Sequence, residues 1–130
     1  WDVEVWQQGN LERVTDLVGP SYVRHQATGT RTVTPEEYAA EIRQIRGAMP
    51  DIRFHLHDCA AIGDRVWTRW TMEGTDPQSG QSMQRMGMQI YRLANGRLVE
   101  TWSLALPSDG AWPERRNTEM SDGKTASRKQ

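Results

Sequence analysis

The spacing of apolar residues changes period near the middle of the chain. Before residue 50 it is helical. Trp1 to Gln8 places Val3 and Trp6 on one side of a helical turn that breaks at Gly9. Asn10 is a good N-cap, and Leu11, Val14, Leu17 and Val18 then recur at helical spacing until Gly19-Pro20 stops the run. A brief segment, Ser21 to Gln26, and a Gly-Thr-rich loop at 27–32 follow. Thr34-Pro35-Glu36-Glu37 has the form of a capping box with proline at the first helical position. Tyr38, Ile42, Ile45 and Met49 form one core-facing stripe on the helix it starts, which Pro50 ends.

After residue 50 the pattern alternates. Ile52, Phe54 and Leu56 interleave with Arg53, His55 and His57, the signature of a half-buried strand. Gly63-Asp64 turns the chain into Val66 to Glu73, Asp76 to Gly80 leads into Met83 to Leu93, and Asn95-Gly96 is a strong hairpin signal ahead of Leu98 to Leu106. Helices first and a four-stranded meander afterwards predict an α+β fold with the helices on one face of an antiparallel sheet.

Composition narrows the functional classes. With 130 residues the chain suits one domain, expected over 1–112, followed by a polar and flexible tail at 113–130. Because residue 1 is Trp rather than Met, further residues are expected before it. Charged residues make up 25% and the net charge is −1, which argues against nucleic acid and against an anionic membrane surface as partners. No apolar run is long enough to cross a bilayer. The single cysteine, Cys59, fits a reducing cytoplasm. Six Trp and six Met beside three Tyr and one Phe suit either a packed core or the walls of a cavity for a flat apolar ligand. His55 and His57 alternate with apolar neighbours, so they share the face away from the core and make a weak metal signal.

Taken together, several segments resemble the SnoaL-like polyketide cyclases. They are Gly9-Asn10-Leu11-Glu12 ahead of Tyr22-Val23-Arg24-His25, then Met49-Pro50-Asp51, then Gly63-Asp64-Arg65-Val66 into Trp70, and last the run from Tyr91-Arg92-Leu93 through Asn95-Gly96 to Glu100-Thr101-Trp102. The resemblance spans about residues 5–106. It implies the nuclear-transport-factor-2-like fold, a cone-shaped curved antiparallel sheet with N-terminal helices packed in its concavity. It also implies a homodimer through the sheet, an apolar aromatic small-molecule substrate and no cofactor. The activity implied is aldol-type cyclisation or rearrangement of a polycyclic aromatic polyketide. Relatives of that family hydrolyse epoxides, assist hydroxylation or only bind ligands.

By the same resemblance, the catalytic acid falls at Ser103, directly after the tryptophan of the last strand. A second catalytic position falls at Gln89, two residues before Tyr91-Arg92. Neither replacement takes up a proton near neutral pH, although each can donate and accept hydrogen bonds. A variant spacing that puts an aspartate four residues after the tryptophan meets Leu106 instead. His25 is the titratable candidate at the pocket rim. Trp70, Trp102, Met86, Met88, Arg85 and Tyr38 are candidate substrate contacts, and Gly87 between the two methionines is expected to leave room for a ligand. Arg69 is the candidate middle member of an epoxide-hydrolase Asp-Arg-Asp set, but it lacks two flanking aspartates. Which face Glu100 occupies depends on the register of the last hairpin.

Overall fold

The computed structural model describes residues 1–113, so the expected tail lies outside the described residues except for Pro113. The longest helix, α2 (Pro35–Ala48), starts as its sequence demands. The Thr34 hydroxyl accepts the Glu37 N–H at 3.1 Å, and the Glu37 carboxylate accepts the Thr34 N–H at 2.8 Å. Tyr38, Ile42 and Met49 of the expected stripe are buried, whereas Ile45 is 39% exposed. The helix therefore buries a narrower stripe than its periodicity implies.

The N-terminal segment departs further from expectation. Asp2–Gln7 forms a π-helical turn rather than an α-helix. Its C-terminal carbonyls are capped from outside, since the Arg46 guanidinium donates to Trp6 O at 2.8 Å and to Gln7 O at 3.0 Å. A Cβ at Gly9 would collide with that guanidinium, and its φ of +74° favours glycine in any case. Helix α1 is confined to Arg13–Leu17, with Glu12 at the N-cap and no side-chain capping bond, so Asn10 does not fill the role expected of it.

Instead of stopping a helix, Gly19-Pro20 lies inside a strand, β1 (Val18–Gln26). A hairpin joins it to β2 (Gly29–Val33), where a loop was expected. The four expected strands follow as β3 (Arg53–Ile62), β4 (Arg65–Thr75), β5 (Ser82–Ala94) and β6 (Arg97–Ala105). The sheet has six strands in the order β2-β1-β6-β5-β4-β3. All neighbours are antiparallel except β1 and β6, which run parallel, so the expected antiparallel meander forms as β3 to β6 while the complete sheet is mixed. Register shifts interrupt β3 between Leu56 and Asp58 and the β5–β6 pair at Arg92/Leu93. Such bulges bend strands and increase their twist, which curves this open sheet.

The helices fill the concave side. Val5, Val14, Val18, Tyr22, Ile42 and Ile52 are almost fully buried there. An aromatic chain runs through the core. Tyr22 meets Tyr38 edge-on at 5.2 Å between centroids, Trp6 lies 5.5 Å from Phe54, and Phe54 lies 6.0 Å from Trp70. The buried Tyr22 hydroxyl is hydrogen-bonded to Thr101 at 2.9 Å, tying β1 to β6. Burial holds its phenol above the ordinary tyrosine value, so it stays neutral. No helix among the described residues is long and apolar enough to cross a membrane.

Candidate ligand-binding site

Residues directly opposite each other on paired strands share a face, so the register decides which side chains can meet. One row runs Cys59, Thr68, Gln89, Ser103 across β3 to β6, and the next runs Val66, Tyr91, Thr101, Arg24. Both rows face the helices. Two cavities open between them and the helices. The outer mouth, about 510 Å³, is lined by apolar groups including Leu17, Leu56, Val66, Leu93 and Leu98, with Cys59 at its wall. Deeper lies a chamber of about 140 Å³ with Arg24, Tyr38, Trp70, Gln89 and Ser103 in its lining. Trp1 and Tyr91 line both spaces, so the two adjoin.

Gln89 and Ser103, the positions where the family pattern expects an acid or base, thus meet side by side on the inner face. The Tyr91 hydroxyl donates to Gln89 Oε1 at 3.3 Å, and the Thr68 hydroxyl donates to the Gln89 carbonyl at 3.1 Å. Tyr38 and Trp70 belong to the same chamber. Arg85 shares the inner face, opposite Met72, but its guanidinium donates to the Leu106 carbonyl at 3.2 Å and lines neither cavity.

The remaining candidates lie on the other face, because alternate residues of a strand point to opposite sides. His25, Met88 and Trp102 line a shallow groove of about 640 Å³ on the outer face, together with Trp67, Ile90 and Leu104. His25 stacks on Trp102 with 5.3 Å between centroids. Its ring nitrogens are hydrogen-bonded to Thr30 at 2.9 Å and to Glu100 at 2.6 Å, and Glu100 also accepts from Arg92 at 2.9 Å. The hydrogen bond from His25, reinforced by Arg92, holds the Glu100 carboxyl below its ordinary range. Met86 lies in a third depression with His57, Thr71 and Trp112. His55 and His57 face outwards as expected, bonded to Glu73 at 2.9 Å and to Thr71 at 2.7 Å. Gln89 and Ser103 also border the groove that His25, Met88 and Trp102 line, so these five share one space although the candidates divide between the two faces of the sheet.

Two further expectations are corrected. Gly87 leaves room for protein rather than ligand: a Cβ there would lie 2.6 Å from the Leu104 carbonyl oxygen and 2.6 Å from the Trp70 ring. Arg69 is bonded to Asp58 at 2.6 Å on the outer face, away from the chamber.

Sequence reasoning missed Arg24 and Tyr91. The signal for Arg24 was present in Tyr22-Val23-Arg24-His25, which read as a strand puts Arg24 on the buried face of Tyr22. The Arg24 guanidinium lies 4.5 Å from the Tyr38 ring centroid and donates to Glu41 Oε1 at 3.0 Å. No carboxylate and no histidine lines either inner cavity among the described residues.

Solved structures share this architecture. A candidate polyketide cyclase from Acidithiobacillus ferrooxidans superposes with a TM-score of 0.71 at 25% identity, covering 79% of this chain and 80% of that one. IdmH, a candidate polyketide cyclase from Streptomyces antibioticus, gives 0.69 at 24% identity over 78% of this chain and 84% of its own. An epoxide hydrolase of the LEH-like type from M. tuberculosis gives 0.66 at 16% identity, over 80% of this chain and 76% of its own, and shares the fold alone. No curated protein matches the sequence. The family described as the SnoaL-like domain matches residues 3–101, and the chain belongs to that family.

Proposed function

We propose that the inner cavity binds a polycyclic aromatic substrate of polyketide type and promotes its cofactor-independent cyclisation or rearrangement by hydrogen bonding rather than with a charged base. The observation that carries this reading is the junction of an apolar mouth with a chamber where Gln89, Ser103 and Tyr91 meet. The mouth would take the ring system, which loses water on entry. Within the chamber the polar groups would hold the reacting ends together, the kind of positioning that removes much of the entropic barrier to ring closure.

An aldol closure can run here without a carboxylate. The enol of a methylene flanked by carbonyls supplies the electron pair, a carbon–carbon bond forms, and the enol O–H proton passes to the new alkoxide. The hydroxyls of Ser103 and Tyr91 can each donate and accept, so either can relay that proton while stabilising the oxyanion. The exposed lone thiol Cys59 fits a reducing cytoplasm as its location. The outer face of the sheet, where Trp67, Met88 and Leu104 are exposed, fits a second copy of the chain.

A non-catalytic binding protein is the second reading, favoured by the absence of carboxylate and histidine from the inner lining of the described residues. Gln89→Ala and Ser103→Ala separate the two. In a catalyst each lowers turnover of an aromatic polyketide intermediate by about 10²-fold while binding persists. A wild-type protein that binds such an intermediate without converting it supports the second reading. Failure to bind any of them defeats both.

A further inference from the structure

The chamber is rich in donors and poor in charge compensation. Arg24 is its one cation among the described residues, with a side chain only 14% exposed. Its carboxylate partner is shared. Glu41 also takes two hydrogen bonds from Arg31, at 2.8 and 3.0 Å, so two guanidinium groups divide one carboxylate and the set keeps a charge of +1. The Arg31 side chain is 52% exposed and solvated, which leaves the under-compensated charge on the Arg24 side. A guanidinium carries five N–H donors, and Glu41 accepts one of those on Arg24. Trp70 also lines the chamber, and its indole N–H, sealed from solvent, has no hydrogen-bond partner among the described residues.

We propose that the chamber selects the carboxylate end of a flat aromatic ligand, with Arg24 as the specificity-determining residue. The inference rests on the inner cavity being a site for aromatic ligands, as proposed above, and adds that the ligand is an acid. A guanidinium suits this role because its planar fork matches two carboxylate oxygens. The Tyr38 ring, 4.5 Å from the guanidinium carbon, holds the Arg24 head group by a cation–π contact.

The test compares 2-naphthoate with the isosteric, uncharged 2-naphthamide by calorimetric titration near neutral pH. The wild-type protein should bind the carboxylate about tenfold more tightly or better, the scale of one charged hydrogen bond. Arg24→Gln should bring the ratio near one by weakening the carboxylate far more than the amide, and Arg24→Lys should keep part of the preference. Equal affinity of the wild type for both compounds overturns the anion site and leaves the aromatic cavity standing. Binding of neither overturns both. A preference that survives Arg24→Gln overturns the assignment to Arg24, and should that variant not fold, the wild-type ratio and Arg24→Lys decide.

Discussion

At the scale of single residues, the ionic contacts of the described residues gather on a few carboxylates. The hydrogen bond from Arg31, helped by the charge of Arg24, holds the Glu41 carboxyl below its ordinary value of 4.5 against the opposing effect of burial. His55 acts likewise on Glu73, and His25 on Glu100. A carboxyl whose pKa is lower in the folded than in the unfolded chain stabilises the fold while ionised. That contribution is complete above the unfolded value and is lost as pH falls through the folded one. The melting temperature should therefore hold steady down to about pH 5 and drop below about pH 4. Glu41→Gln should lower it at neutral pH but much less in acid, so that the two curves converge. Parallel curves would mean that Glu41 does not carry its share of the acid sensitivity.

Among the elements, α2 was the most legible. Its start is encoded within four residues, Thr34 to Glu37, and both capping bonds form. Thr34→Ala should cost about 1 kcal/mol in chemical denaturation by removing the acceptor for the Glu37 N–H. Because Tyr38 follows within the first turns and its ring packs on Tyr22, the same change should also weaken ligand binding. Unaltered stability would show that burial of Tyr38 and Ile42 alone holds that turn. By contrast, β1 and β2 were hidden. Gly19-Pro20 reads locally as a helix stop, and the partner that makes a strand of Val18–Gln26 is β6, more than seventy residues onwards, in a parallel pairing that no turn signal announces.

The same long-range register explains how much of the site could be read. Gln89 and Ser103 came from the family resemblance, which puts its acid and base positions before Tyr91 and after Trp102, and the sheet sets them opposite each other. The side of the sheet that each residue takes was not legible. Bulges near Leu56 and Leu93 reset the alternation, and Trp102 and His25 come to lie outside while Ser103 and Arg24 lie inside.

For the molecule as a whole, the outer face of the sheet is the unresolved hydrophobic surface. Trp67, Met88 and Leu104 are 47%, 47% and 64% exposed, and they share one groove with Trp102. Contiguous apolar surface of this kind marks an interaction site. The charges around it are already matched within the chain, Asp58 with Arg69 and Glu100 with Arg92, so the face offers no net field to a polyanion. An apolar centre with charges of both signs at its edge suits a two-fold contact with a second copy. The full chain should sediment as a dimer, and Leu104→Glu should convert it to a monomer by placing a carboxylate at the centre of that contact. Because the ligand chamber lies on the opposite side of the sheet, the monomeric variant should still bind an aromatic ligand. A monomeric wild type, or a dimer that survives Leu104→Glu, would assign this face to another partner.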